Sequence, residues 1–219
     1  MIQAAIVDVD GVLLDSMGIW KDLGRRYLQT RGKQAKEDLD RVLYPMTLDQ
    51  SSHYLRVHYG LAEGEDAIIR GIKGLLHDFY CHEVKEKRGA KDLLRFFQKQ
   101  GIPFVLASTS SREELEAAFR RLQLPGRELL LTAKDVGLGK QEPIFFCKLA
   151  GELGVKSENC LVVEDALYAI RAAKRAGCPV AAMEDCSTGK EEREIQTMAD
   201  GYYHDPCGLL RDLQEGKLG

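Results

Sequence analysis

The chain has 219 residues, of which 44% are hydrophobic and 30% charged, and its 31 basic and 34 acidic side chains leave a net charge of −3. This composition excludes collagen-like, disordered and disulfide-scaffold proteins, and the sequence holds no apolar run of the roughly 18 residues that a membrane span needs. We expect a cytoplasmic protein that contacts neither membrane nor nucleic acid, because no signal-peptide pattern or basic arm is present and six cysteines are scattered without a C-x-x-C pair.

Short apolar runs recur along the chain, and continuous runs of this kind are typical of parallel strands buried on both faces. The predicted strands are 2–9, 102–108, 128–132, 159–163 and 179–183. Amphipathic stretches alternate with the later strands. The predicted helices among them are 90–100, 112–122, 142–153 and 166–176. This alternation predicts an α/β fold with a doubly wound, Rossmann-like parallel sheet.

Residues 16–85 interrupt the alternation with a block of amphipathic helices, at about 17–30, 36–43, 48–58 and 64–84. We find no strand pattern between residues 16 and 88. The block is far longer than a simple crossover of about a dozen residues. It is therefore predicted to be an inserted, all-helical domain (16–85) that splits the α/β domain into residues 1–15 and 86–219. Charged residues near the second boundary, Lys87 among them, are expected to be solvated.

Polar residues follow the predicted strands where a parallel sheet usually binds its ligands. They are Asp8 and Asp10, the hydroxyl run Ser108–Ser111, Lys140, and the pair Glu164 and Asp165. Each feature alone also fits a plain structural role: a solvated turn, a helix cap, a solvated lysine, or acids that complement a helix dipole. Their order along the chain is more specific than any one of them.

Taken together, the strings DVDGVLLDS, ASTS and VVEDALYAIRAAKRAG, with Lys140 between the last two, strongly resemble the four motifs of the haloacid dehalogenase superfamily. The resemblance is to its β-phosphoglucomutase-like phosphatases, whose helical cap lies between the first two motifs. It covers essentially the whole chain. It implies an enzyme that transfers a phosphoryl group through an aspartyl-phosphate.

The resemblance also implies a role for individual residues. Asp8 would be the nucleophile, Asp10 the general acid and then the general base, Ser108 a hydrogen-bond donor to the phosphoryl group, and Lys140 its cationic partner. Asp8, the backbone carbonyl of Asp10, and Asp165 would bind Mg²⁺, with Glu164 as a direct or water-mediated contributor. Gly11, Thr109 and Trp20 are further substrate-binding candidates, Trp20 as a wall contributed by the cap.

The function expected from these features is Mg²⁺-dependent hydrolysis of a small phosphorylated metabolite, such as a sugar phosphate, by a monomer or small homo-oligomer. Asp10 argues against dehalogenation, because a proton donor is useful when an alkoxide leaves. A β-phosphoglucomutase-type mutase stays an alternative, although Trp20 stands in the stretch where those mutases carry a histidine. A non-catalytic phosphate-sensing module is disfavoured by the chain length and the helical insertion.

Overall fold

The computed structural model describes residues 2–43 and 46–218. The chain divides into two units. Met1–Ser16 with Val84–Gly219 is called the core unit here, and Met17–Glu83 the helical unit. Among the described residues, no helix is long and apolar enough to cross a membrane. None of the six cysteines, all of which lie within the described residues, forms a disulfide.

The regular elements are numbered in chain order. The described residues form the strands β1 (Ala4–Asp8), β2 (Leu14–Asp15), β3 (Lys85–Glu86), β4 (Phe104–Ser108), β5 (Leu130–Thr132), β6 (Cys160–Glu164), β7 (Val180–Met183) and β8 (Gly201–Tyr203). Their α-helices are α1 (Gly18–Thr30), α2 (Leu39–Leu43), α3 (Leu48–Tyr59), α4 (Glu65–Asp78), α5 (Ala90–Gln100), α6 (Arg112–Leu122), α7 (Ala133–Val136), α8 (Pro143–Glu152), α9 (Leu167–Arg175), α10 (Glu192–Met198) and α11 (Pro206–Gln214).

Six of these strands form a parallel sheet in the order β5-β4-β1-β6-β7-β8. Every residue of β1 and of β6 is buried, as expected for strands covered on both faces. The chain winds from β1 through β4 to β5, then returns to place β6, β7 and β8 on the other side of β1. The predicted doubly wound α/β fold is therefore confirmed. The winding direction reverses between β1 and β6, and such a reversal opens a crevice at the carboxyl ends of the strands.

A two-stranded antiparallel sheet joins the segments on either side of the helical unit. Leu14 pairs with Glu86 and Asp15 with Lys85, and the Lys87 amide donates to the Leu13 carbonyl at 2.8 Å. The prediction of no strand between residues 16 and 88 is therefore wrong. Two-residue strands are too short to show a period in the sequence, and this pairing joins segments about 70 residues apart.

The helical unit contains α1 to α4, and their apolar faces meet at Leu28, Leu55 and Ile68, all fully buried. Helix α3 begins after a capping box, in which the Thr47 side chain accepts from the Gln50 amide and the Gln50 side chain accepts from the Thr47 amide. The predicted helix at 64–84 is divided in the structure, because a single π-helical turn at Phe79–Glu83 follows α4.

Candidate active site

Three neighbouring strands end in polar side chains at one edge of the core sheet. Strand β1 ends at Asp8, β4 at Ser108 and β6 at Glu164. Because β1 pairs with β4 on one side and with β6 on the other, these three ends are adjacent. The reversal of winding between β1 and β6 places them at the crevice, so the topology brings the first, second and fourth motifs together.

Lys140 connects two of these strand ends, although it lies in the turn that precedes α8. Its ammonium group donates to Asp8 Oδ1 and, at 2.8 Å, to Glu164 Oε1. The Lys140 side chain is only 3% exposed. Burial alone lowers the pKa of a lysine, but the carboxylates of Asp8 and Glu164 outweigh it and hold the pKa of Lys140 above its ordinary value. Lys140 is therefore a buried, permanently charged partner of Asp8.

Glu164 uses both of its carboxylate oxygens within the core unit. Oε1 accepts from Lys140, while Oε2 accepts from the backbone amides of Asp165 at 2.9 Å and Ala166 at 3.0 Å. These amides directly precede α9, so Glu164 fixes the turn that carries Asp165. A buried carboxylate with this many donors is well compensated for its lost hydration.

Asp10 is held by two hydroxyl groups from different parts of the chain. Its Oδ1 accepts from Ser16 Oγ at 2.7 Å and its Oδ2 from Ser108 Oγ at 2.9 Å. Ser108 Oγ in turn accepts from the Ser110 amide at 3.0 Å. Ser16 is fully buried, and the sequence analysis did not single it out. The signal for it was present, because Ser16 ends the string that carries the first motif.

The turn after β1 requires glycine at position 11. Gly11 has a φ of +78°, in the left-handed region, and a Cβ placed there would lie 2.2 Å from Asp165 Oδ2. No side chain fits between the turn and that carboxylate. Gly11 therefore serves the close approach of Asp165, and its predicted role in substrate binding stays a prediction.

The carboxylates at this edge form a set that suits a divalent cation. One oxygen from each of Asp8, Glu164 and Asp165 lies within 4.8 Å of the other two, and all three residues are buried. Burial raises the pKa of Asp165, and the charges of Glu164 and Asp8 raise it further. Three buried carboxylates thus face one ammonium group, an excess of negative charge that a bound cation would relieve. Mg²⁺ prefers oxygen ligands of this kind, so the residues present fit the predicted ion.

Thr109 and Trp20 are the remaining two predicted substrate contacts. Thr109 follows β4 and is exposed. Trp20 belongs to α1 of the helical unit and is 51% exposed. Their roles in substrate binding stay predictions.

The sequence profile of the haloacid dehalogenase-like hydrolases matches residues 2–177, which is most of the chain. The chain belongs to this family. The resemblance seen in the four motifs is therefore confirmed, and the chain is a hydrolase of this family.

Several curated relatives of this hydrolase are phosphatases. The bifunctional riboflavin kinase/FMN phosphatase of Arabidopsis thaliana is 27% identical over 219 residues, which cover 99% of this chain and 56% of that protein. The phosphorylated carbohydrates phosphatase of Thermotoga maritima is 26% identical over 176 residues, 80% of this chain and 82% of that protein. Hexitol phosphatase A of Escherichia coli is 26% identical over 178 residues, 81% of each chain. The hydrolase therefore spans little more than half of the Arabidopsis protein.

Solved structures share the fold over nearly the whole length. A candidate β-phosphoglucomutase from Thermotoga maritima superimposes with a TM-score of 0.84 at 24% identity, covering 98% of this chain and 99% of that one. A family hydrolase from Deinococcus radiodurans, crystallised with phosphate and sodium, gives a TM-score of 0.78 at 24% identity, covering 99% and 97%. At this level of identity the likeness concerns the fold alone.

Proposed function

We propose that this hydrolase is a Mg²⁺-dependent phosphatase that cleaves small phosphorylated metabolites through an aspartyl-phosphate on Asp8. One observation supports this most directly. Asp8 is buried at the end of the central strand, bonded to the ammonium group of Lys140 and close to the carboxylates of Glu164 and Asp165. A carboxylate that must attack a phosphate dianion needs nearby positive charge, and Lys140 supplies part of it.

In the first step, a carboxylate oxygen of Asp8 attacks phosphorus, and the bond from phosphorus to the oxygen of the leaving group breaks. Protonated Asp10 gives its proton to that oxygen, so that an alcohol leaves. In the second step, Asp10 takes a proton from water as that water attacks the phosphorus of phospho-Asp8. Inorganic phosphate and free Asp8 result, so covalent catalysis divides one difficult hydrolysis into two easier steps.

The hydrogen bonds that Asp10 accepts from two serines bear on its proposed role as a general acid. Ser16 and Ser108 both donate to it in the structure, an arrangement that suits its ionised form. A hydroxyl can also accept, so either serine is able to turn when Asp10 carries a proton. If Ser108 turns away, its hydrogen becomes available to a phosphoryl oxygen, which is the role proposed for it.

When bound, Mg²⁺ supplies positive charge that stabilises the phosphoryl oxygens during transfer. Asp8, Asp165 and the backbone carbonyl of Asp10 are proposed to hold it. Glu164 already accepts from Lys140 and two backbone amides, so we assign it mainly to holding Lys140 beside Asp8.

The substrate class rests on the relatives. Two of them are named for phosphorylated carbohydrates and hexitol phosphates, and we propose a sugar or polyol phosphate as the substrate of this chain. We also propose that residues 16–85 act as a cap that selects the leaving group, and that the protein works in the cytoplasm as a monomer or small homo-oligomer.

The test is hydrolysis of phosphomonoesters by the purified protein with Mg²⁺, with phosphate release as the readout. Asp8→Asn keeps the size of the side chain but removes the nucleophilic oxygen, and we expect a loss of at least about 10³-fold. Asp15→Asn is the matched control, because Asp15 is exposed, and it should retain full activity. Turnover by Asp8→Asn near the wild-type rate would refute the proposal, as would undiminished activity of the wild type in excess chelator.

A further inference from the structure

Asp185 is a fourth buried carboxylate at the sheet edge that holds the candidate site. It follows β7, the strand that pairs with β6, and Glu164 at the end of β6 lies opposite Ala182 in this pairing. Three residues span at most about 11 Å of chain, so the turn that carries Asp185 begins at the same edge as the carboxylate cluster. The Asp185 side chain is only 1% exposed, and it therefore lies inside the core unit and not in solvent.

The charge of Asp185 acts on one of the proposed metal ligands. Burial is the main cause of the raised pKa of Asp165, and after the other two carboxylates of the cluster Asp185 raises it further. This agrees with the strand register, which places both residues just beyond the ends of neighbouring strands. Asp185 is not one of the three carboxylates whose oxygens lie within 4.8 Å of one another. It is therefore near the cluster but outside it.

Both carboxylate oxygens of Asp185 are bonded within the core unit. Oδ2 pairs with the ammonium group of Lys87 at 3.0 Å, and Oδ1 accepts from the Ser187 amide at 2.8 Å. The same ammonium group donates to the Glu184 carbonyl at 2.7 Å, and the Lys87 side chain is 10% exposed. Lys87 therefore neutralises Asp185 and holds its carboxylate in place, although the mechanism proposed above gives Lys87 no role.

This ion pair decides how much negative charge a bound cation would meet. Three carboxylates and the Lys140 ammonium group leave an excess of two negative charges, which one divalent cation balances. Asp185 without Lys87 would add a third. Mg²⁺ usually takes few protein carboxylates and keeps water or substrate oxygens, whereas Ca²⁺ takes about six to eight oxygen ligands in flexible geometry. A further unpaired carboxylate would therefore favour Ca²⁺ more than Mg²⁺.

We infer that Lys87 determines the specificity of the cation site, because by pairing with Asp185 it keeps this carboxylate from the bound ion and so favours Mg²⁺ over Ca²⁺. Lys87 acts through Asp185, so it is a positioning residue and not a catalytic one. Specificity of this kind comes from withholding a group that would suit the wrong ligand. The inference rests on the proposed function, since it requires the Mg²⁺ site formed by Asp8 and Asp165.

The experiment measures the binding of divalent cations to chelator-treated protein without substrate. Bound Mn²⁺ is followed by electron paramagnetic resonance, and competition gives the dissociation constants of Mg²⁺ and Ca²⁺. Lys87→Met leaves Asp185 unpaired, so Ca²⁺ should bind at least about fivefold more tightly, and the gain for Mg²⁺ should be clearly smaller. Asp185→Asn leaves an unpaired ammonium group and should weaken the binding of both ions about threefold or more. The double variant should stay within about twofold of the wild type.

Lys174→Met is the matched control. Lys174 pairs with Asp200 at 2.7 Å, but it lies in the last turn of α9, away from the end that follows Asp165. Asp200 also accepts from the Val180 amide at the start of β7, so this ion pair belongs to the opposite edge of the sheet. The variant removes a paired lysine from the core unit, as Lys87→Met does, and should leave every dissociation constant within about twofold.

Two outcomes would overturn the inference alone. Weaker binding in both single variants would show a merely structural role, because an effect of charge must change sign between them. An unchanged ratio of Ca²⁺ to Mg²⁺ affinity in Lys87→Met would show that Asp185 does not influence the choice of ion. A wild type that binds no divalent cation, or that binds it equally well after Asp165→Asn, would instead refute the proposed Mg²⁺ site.

Thermal midpoints measured in chelator establish which variants fold. If Lys87→Met does not fold, Lys87→Gln takes its place, because its amide keeps a hydrogen-bond donor for the Glu184 carbonyl but carries no charge. The same gain in Ca²⁺ affinity is expected of that variant, and its absence would overturn the inference equally.

Discussion

Removal of the Lys140 ammonium group should destabilise the core unit even before any substrate is bound. In the structure Lys140 pairs with both Asp8 and Glu164, and all three side chains are buried. Lys140→Met would leave Asp8 facing Glu164 and Asp165 with no cation among them. Breaking a buried ion pair by removing one partner costs about 3–5 kcal/mol, because the remaining charge is uncompensated.

The penalty should fall mainly on Asp8. Glu164 keeps two backbone amide donors after the substitution, whereas Asp8 loses the ammonium group that neutralises it. The double variant Lys140→Met with Asp8→Asn removes the unpaired charge as well. It should therefore recover most of the lost stability, to within about 1–2 kcal/mol of the wild type.

The assay is urea unfolding in the presence of chelator, followed by far-UV circular dichroism. With a slope of about 2–3 kcal/mol per molar urea, the expected loss moves the midpoint down by about 1–2.5 M. Trp20, the single tryptophan of the chain, lies in the helical unit and provides a separate fluorescence signal for that unit. Lys148→Met is the control, because Lys148 is exposed and bonds only the Val136 carbonyl among the described residues.

Two results would refute this reasoning. A midpoint of Lys140→Met within about 0.3 M of the wild type would mean that Asp8 finds other compensation. Failure of the added Asp8→Asn substitution to restore stability would mean that lost packing, and not unpaired charge, is responsible.

The remaining predictions concern a second ion pair and the thiols. Lys87 pairs with the buried Asp185 at 3.0 Å, so Lys87→Met should lower the free energy of unfolding, measured in urea, by about 2–4 kcal/mol. The double variant Lys87→Met with Asp185→Asn should lower it clearly less, because no unpaired charge remains. Equal losses in the two variants would contradict a charge effect. Burial raises the pKa of Cys160 to about 12 and that of Cys178 to about 11, which suppresses their thiolates, so iodoacetamide at pH 8 should label the exposed Cys186 and spare these two until the protein unfolds. Mass spectrometry of the labelled peptides checks this, and early labelling of Cys160 would contradict it.

The sequence by itself determined the parallel sheet and the positions of most helices. Strands such as β1 and β6 are buried on both faces, and that leaves a continuous apolar run in the chain. Helices α5 and α6 carry an apolar stripe, and α6 also has its serine cap. These signals are local, so they can be seen without any knowledge of distant contacts. Strand β8 lacked them, because a three-residue, half-buried edge strand leaves no such run.

The order of four short motifs predicted which residues form the candidate site. The contacts between those residues could be seen only in the tertiary structure. Nothing near Lys140 in the sequence distinguishes it from a solvated lysine, and only the fold places its ammonium group between Asp8 and Glu164. Lys87, expected to be solvated, is instead nearly buried against Asp185. Neither ion pair could be predicted from the sequence, because the partners of Lys140 and of Lys87 lie far from them along the chain.

The net charge of −3 also differs in what it shows at the level of the sequence and of the structure. As an average over 65 charged side chains, 31 basic and 34 acidic, it predicts nothing about binding. The sheet topology gathers three buried carboxylates and one ammonium group at a single edge, and the low polarity of that position makes their charge excess costly. Composition does not show which charged groups lie close together, because electrostatic energy depends on distance and burial, and only the folded chain defines these.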